Sequence, residues 1–303
     1  MADFTPITLQ NATQLAIHGQ ATRGWISETV WSPDGRLIAC SSAGGVGVWR
    51  TDLSRPPLFL KGHDAPVKSV AFAPNSATLA TASSDTSVKL WDLRAFSPTM
   101  QPIAVYPHGE ASVEKVLFAR NGSPIAAATD GNIYVHHAVN PLILSGHTDE
   151  LITLALHPDG RILASAGRDK TIRLWDIVTG EQVAMWVGHS EWIRRLAFHP
   201  DGEQLFSASR DGTVCGWRLN GEPTMTLPHT GDVRALALNA AGDLLAAGDV
   251  TGGIMLWQLP SRTQALTLTA HTRPVLTLAF HPFDAALLSG GGDNALLLWG
   301  IGA

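Results

Sequence analysis

The sequence predicts an all-β fold made of seven copies of one small antiparallel sheet, and three observations predict it. A phrase of Gly-His, Asp and Trp returns along the chain, clearest as Gly62-His63, Asp85, Trp91-Asp92 and as Gly146-His147, Asp169, Trp175-Asp176. The Trp or its substitute stands at 49, 91, 136, 175, 217, 257 and 299, in steps of 42, 45, 39, 42, 40 and 42. Between these markers lie short apolar runs parted by turn residues, with no stretch of helical period. After the last Trp, too little chain remains for the strand that follows every earlier one.

A repeat of this length is one supersecondary unit that cannot bury its apolar surface alone, so its copies must stack on one another. The second copy shows the elements in order. Val67-Lys68-Ser69-Val70-Ala71-Phe72 reads as a strand, Pro74-Asn75 as a turn and Thr78-Leu79-Ala80-Thr81-Ala82 as the next strand. Ser84-Asp85-Thr86 is a second turn and Val88-Lys89-Leu90-Trp91 a third strand. A further strand precedes each following His, as Leu142-Ile143-Leu144 does ahead of Gly146-His147, whereas Trp299 is followed only by Gly300-Ile301-Gly302-Ala303. At the other end, Leu15-Ala16-Ile17-His18-Gly19-Gln20 aligns with Leu142 to His147 and sets Gln20 where a His is expected. Residues about 12–18 are therefore expected to supply the outer strand of the last sheet and cover its open edge. Residues 1–11 are expected to be flexible or peripheral, and residues 1–303 to form one unit.

These repeats resemble those of the WD-repeat family of β-propellers, over roughly residues 15 to 300. The resemblance implies that each copy is a four-stranded blade, that seven blades close around a central channel, and that the N-terminal strand completes the last blade.

Composition narrows the function classes. The 21 Lys and Arg against 26 Asp and Glu give a net charge of −5, with no long basic run, which disfavours nucleic acid as a partner. Cys40 and Cys215 fall in different blades and read as small buried hydrophobes rather than a disulfide, as in a reducing cytoplasm. Met1-Ala2-Asp3-Phe4-Thr5-Pro6 lacks the basic and apolar regions of a secretory signal, and no run approaches membrane-spanning length, so no membrane association and a cytoplasmic location are expected.

A hydroxyl four residues before the Asp joins the repeated phrase in four blades. The sets are His63, Thr81, Asp85 and Trp91; His147, Ser165, Asp169 and Trp175; His189, Ser207, Asp211 and Trp217; His271, Ser289, Asp293 and Trp299. Blades 1, 3 and 6 have Ala39 or Cys40, Ala126 or Ala127, and Ala247 near that place. A buried carboxylate needs its acceptor sites filled, and an imidazole, a hydroxyl and an indole N–H can supply donors in a chain. The resemblance implies this tetrad, in which the Asp accepts from the His and the hydroxyl bridges His to Trp. Ser, His and Asp are also the residue types of a hydrolase triad. Four copies of one arrangement, each followed by a Trp and with no Gly-x-Ser-x-Gly elbow, read as a structural clamp instead.

No metal or cofactor is expected. Of the twelve His, six belong to the repeated phrase or its variants His108, His229 and His271, and His157, His199 and His281 each precede a Pro in turns of separate blades. His136-His137 are adjacent, and strand alternation would send them to opposite faces. Gly44-Gly45 and Gly290-Gly291-Gly292 read as tight hairpins, because no Lys-Ser or Lys-Thr and no helix follows them.

Blade 3 has His136 for the Trp, blade 1 has Gln20 for the His and the added Ala21-Thr22-Arg23-Gly24, and blade 6 has Thr251 for the Asp. Drift is the favoured reading of all three, and adaptation to a partner is the alternative. The resemblance implies a partner surface on the face of the Gly-His loops and Asp turns. There the sequence places Lys68, Glu150, Trp192, Arg194 and Asp232, with Trp25 in blade 1 and Arg168 and Arg210 just before their Asp. Trp192-Ile193-Arg194 beside Arg168 and Arg210 has hot-spot composition. The expected function is a non-enzymatic scaffold or adaptor for a protein or peptide partner. The alternative is a small-ligand-binding or catalytic propeller using the channel mouth.

Overall fold

A computed structural model describes residues 5–22, 24–51, 53–136, 140–269 and 271–301. Its strands form seven four-stranded antiparallel sheets. In blade 2 the order is an inner strand Val67–Phe72, a second strand Thr78–Ser83, a third Ser87–Asp92 and an outer strand Ala104–Pro107. The inner strands touch in sequence around a ring, and Val275–Phe280 of blade 7 returns to Ile26–Trp31 of blade 1. Second strands such as Ile162–Gly167 and Gln204–Ser209 are almost wholly buried, because a neighbouring blade covers each face. Outer strands such as Gln182–Val187 are largely exposed.

The apolar core lies between blades rather than within them. Ile125, Ile133 and Leu144 of blade 3 meet Leu151, Leu163 and Trp175 of blade 4 in one buried cluster, and comparable clusters fill the other seams. Burying one such Leu or Ile side chain stabilises by about 1.5–3 kcal/mol. A single blade has no equivalent shelter, which is the physical reason the units must stack.

The last blade is closed by the chain's beginning. Ala16–Thr22 pairs with Ala295–Gly300, which continues to Leu287–Gly291 and Val275–Phe280. Two expectations are corrected here. The closing strand begins and ends later than residues 12–18, with Thr22 opposite Ala295, as Val187 lies opposite Thr171 in blade 4. Gln20 is therefore inside the strand, opposite Leu297, and does not occupy the His place. Residues 5–11 are not peripheral: Ile7 is buried, its N–H donates to the Asp284 carbonyl at 2.7 Å, and Ile7, Ala12 and Leu15 join the seam between blades 6 and 7. The apolar spacing of Ile7, Ala12 and Leu15 is a docking pattern rather than a strand pattern. Arg23, His137, Gly302 and Ala303 lie outside the described residues, and with them the proposed alternation of His136 and His137.

Two features repeat around the ring. Each inner strand carries a register shift at its second residue, between Ile26 and Glu28, Val67 and Ser69, Val113 and Lys115, Leu151 and Thr153, Ile193 and Arg195, Val233 and Ala235, and Val275 and Thr277. At the opposite end, turns of successive blades are tied by imidazoles. The Nε2 atoms of His157, His199 and His281 donate to the carbonyls of Gly202, Gly242 and Gly35 at 2.9, 2.8 and 3.3 Å. Gly242 has φ +76°, and a Cβ there would lie 2.4 Å from His199 Nε2, so both backbone and space require glycine.

Cys40 and Cys215 are both buried and lie on different blades. No helix among the described residues is long and apolar enough to cross a membrane.

Candidate partner-binding face

The Gly-His loops and the turns between second and third strands lie at the same end of the ring, the end where the inner-strand bulges sit. Four of those turns are fastened by tetrads. In blade 4, His147 Nδ1 is 2.7 Å from Asp169 Oδ2, His147 Nε2 is 2.7 Å from Ser165 Oγ, and Trp175 Nε1 donates to the same hydroxyl at 2.7 Å. The assignment that satisfies every group runs Trp N–H to Ser oxygen, Ser O–H to His Nε2, and His Nδ1–H to Asp. Matching contacts span 2.6–2.9 Å in blade 2 and 2.6–2.8 Å in blade 5. In blade 7, His271 Nδ1 lies 3.0 and 3.1 Å from the two Asp293 oxygens, and Ser289 Oγ is 2.8 Å from both His271 Nε2 and Trp299 Nε1.

Sequence reasoning missed further donors to these carboxylates. The Ser87, Thr171 and Thr213 hydroxyls, two residues after the Asp, donate to Asp85, Asp169 and Asp211 at 2.6, 3.0 and 2.6 Å. Backbone N–H groups of Asp64, Thr148, Ser190 and Thr272 add one bond to each site. Burial alone would raise the Asp85 carboxyl, but the hydrogen bonds from Ser87 and His63 outweigh it and hold it at about 2. Asp169 is likewise held at about 2, by His147 and Thr171 against burial. These Ser, His and Asp side chains are fully engaged with one another and with a tryptophan, so the arrangement locks a loop to a turn.

The irregular blades solve the same position differently. In blade 3, His108 Nε2 and His136 Nε2 lie 3.1 Å apart, while Asp130 accepts from the Tyr134 hydroxyl at 2.6 Å. In blade 6, Asp249 is buried and accepts from the Thr230 and Thr251 hydroxyls at 2.9 and 2.5 Å. With Ala247 at the hydroxyl place, both ring nitrogens of His229 and the Trp257 indole N–H are buried with no hydrogen-bond partner among the described residues. Burial pushes His229 down to about 4. In blade 1, Cys40 stands at the hydroxyl place, opposite Gly47, and Ala43 and Gly44 make a two-residue hairpin.

The eight residues singled out for the face come together in two connected groups. Trp192 is surrounded by three guanidinium groups, those of Arg168, Arg210 and Arg194, at 4.4, 4.8 and 5.1 Å from its ring centroid. Arg168 pairs with Glu150 at 2.8 Å and Arg194 with Asp232 at 3.1 Å. Arg194 also lines a cavity of about 240 Å³ at the channel mouth, where Lys68 and the half-exposed Trp25 are found. Trp25 belongs to blade 1 and does not join the arginine cluster; it packs over the turn at Gly292 of blade 7.

The sequence model of the WD domain, G-beta repeat, matches residues 54–92, 140–176, 180–218, 221–258 and 262–300, together more than half of the chain. The chain belongs to the WD-repeat family. Blades 1 and 3, which lack the complete phrase, contribute least to that match. The chain is 29% identical to mitochondrial division protein 1 of Neosartorya fischeri over 252 residues, covering 82% of this chain and 34% of that protein. It is 26% identical to nuclear distribution protein PAC1 of Arthroderma otae over 270 residues, covering 84% and 54%. It thus spans between a third and about half the length of these relatives.

This WD-repeat propeller carries mouth residues that sequence reasoning did not name. Glu28, Glu114, Lys115, Arg195 and Arg234 line the cavity beside Lys68 and Arg194. Glu28 is buried, contacts Lys115 Nζ and the Ser69 hydroxyl, and accepts from the Val70 N–H at 3.2 Å. Burial raises its carboxyl, but the nearby Lys115 and Arg195 cations outweigh that and keep it low. The bulges explain the omission. Alternation sends consecutive strand residues to opposite faces, whereas the extra residue of a bulge lets two neighbours share one side. Ser27 with Glu28, Glu114 with Lys115, and Arg194 with Arg195 all line the mouth as pairs.

Proposed function

We infer that this protein is a non-enzymatic interaction scaffold that binds a protein or peptide partner on the propeller face around the channel mouth, in the cytoplasm. The WD-repeat propeller is an interaction-scaffold architecture, and its sheets are consumed in packing, which leaves the loops and turns for recognition. The observation that carries the reading is Trp192 ringed by Arg168, Arg194 and Arg210 on a clamped rim. Trp and Arg are the residue types that dominate interface energetics, and tetrads on blades 4 and 5 hold their loops in place before binding. A cavity of about 240 Å³ is smaller than the ~300–1,000 Å³ of small-molecule pockets, which weighs against the small-ligand alternative.

The names of the relatives point to mitochondrial division and to nuclear distribution. Two such different names on one architecture fit partner choice by the loops, so the partner of this chain is sought on its own face. The test is affinity capture from the native cell with identification of the captured proteins, comparing wild type with the Trp192→Ala/Arg194→Ala double variant. Loss of a defined partner with an unchanged melting curve supports the face. An identical set of captured proteins overturns it.

A further inference from the structure

The chain is acidic overall, yet its channel mouth is not. Lys68, Lys115, Arg194, Arg195 and Arg234 line the cavity against only Glu28 and Glu114, and Arg168 and Arg210 extend the basic surface outward over Trp192. The nearby carboxylates are already engaged. Glu28 is held by Lys115 and Ser69, Glu114 accepts from the Ser112 hydroxyl at 2.9 Å and lies 3.8 Å from Lys68, Asp232 pairs with both Arg194 and Arg234, and Glu150 pairs with Arg168.

Two guanidinium groups stand apart. Arg195 donates only to backbone carbonyls, those of Arg194 at 3.0 Å and Leu276 at 3.1 Å, and has no carboxylate within hydrogen-bond distance among the described residues. Arg210 is exposed and rests on the Trp192 ring, with no carboxylate partner among the described residues. A guanidinium carries five donors in a fixed fork suited to planar anions. Arg194 joins the two places, since it stacks on Trp192 and also lines the cavity.

We propose that the channel mouth and the Trp192 rim together bind an acidic peptide segment of the partner, one carboxylate entering the mouth beside Arg195 and a second lying across Arg210 and Arg168. This rests on the partner face inferred above and adds its chemistry. The cavity admits a side chain rather than a whole ligand, so the rest of the segment lies over the rim. Burial disfavours the charged form of Arg195, and Glu28 offsets this only in part, so an incoming carboxylate supplies what the site lacks.

The experiment is fluorescence anisotropy with four labelled probes of equal length: a decapeptide alternating Glu with Ser, the same peptide with Gln for Glu, the same with phosphoserine for Glu, and a thymidine decanucleotide. The proteins are wild type, Arg210→Glu and Arg195→Met, each checked by its melting curve. The Glu peptide is expected to bind wild type at least about tenfold more tightly than the Gln peptide and to weaken as salt rises. Arg210→Glu, an exposed change that leaves the fold intact, is expected to weaken it by about tenfold, and Arg195→Met by as much. Equal binding of the Glu and Gln peptides, no binding of either, or an unchanged Arg210→Glu overturns the proposal. So does tighter binding of the oligonucleotide, or binding of the phosphoserine peptide alone. If cellular capture still depends on Trp192 and Arg194 while the Glu peptide fails, the partner face stands and only its acidic specificity falls.

Discussion

Asp169 takes hydrogen bonds from an imidazole, a hydroxyl and two backbone N–H groups, so its removal strips several partners at once. Asp169→Ala is expected to destabilise the protein by about 1–3 kcal/mol in denaturant unfolding, because it leaves the buried His147 Nδ1–H without its carboxylate acceptor. Blade 6 provides the contrast. The ring nitrogens of His229 have no hydrogen bond to lose among the described residues, so His229→Leu is expected to be neutral or stabilising at pH 7, and a loss above about 1 kcal/mol would contradict that unpaired burial.

The two residue types also set the pH response. Asp85 and Asp169 sit at about 2, below an unfolded aspartate near ~3.9, so their contribution is present above about pH 4 and is lost as pH falls toward 2. His229 sits at about 4, below the ~6.5 of an unfolded histidine, so stability declines as pH falls from about 6.5 to 4. Melting temperatures of wild type and His229→Leu across pH 7 to 2 separate the effects: the variant makes the upper window less steep, where His63, His108 and His281 are also held low, and leaves the lower one.

Among elements, the imidazole ties between turns are sensitive to a single methyl group. Gly242→Ala is expected to lower stability by about 1–3 kcal/mol, since the new Cβ meets the His199 ring in a left-handed backbone position. An unchanged unfolding curve would show that the His199 tie is dispensable. The grouping of His, hydroxyl, Asp and Trp was legible in the sequence because equal strand and turn lengths keep fixed separations, 18 residues from His to hydroxyl and 22 from His to Asp. The ties were not, because His157, His199 and His281 each reach a carbonyl in another blade, and a backbone acceptor leaves no mark on side-chain identity. Nor were Lys115 and Arg195, since a bulge inserts one residue into a strand whose apolar alternation otherwise reads normally.

At the scale of the molecule, stability is a property of seams, and one seam depends on a distant segment. A six-residue likeness, Leu15 to Gln20 against Leu142 to His147, points to an outer strand in this segment. That likeness found the right sheet and the wrong register, because outer strands are exposed and their side chains constrain pairing weakly. Removing residues 1–20 deletes most of that strand and the Ile7, Ala12 and Leu15 packing, exposing an edge of blade 7. The melting temperature is expected to fall by about 10 °C or more, and a calorimetric scan that shows no shift would refute noncovalent closure as a source of stability.

The bulges have a further consequence for how such a molecule changes its partners. Blades 1, 3 and 5 each set two adjacent polar side chains at the mouth, while core residues lie on the remaining strand positions and in the seams. The charge of the mouth is therefore set by a few strand dipeptides rather than by the apolar seams. Exchanging Arg194-Arg195 for another pair is expected to change the charge of the mouth while the seams keep their packing, whereas exchanging Lys115 also strips the buried Glu28 of its cation.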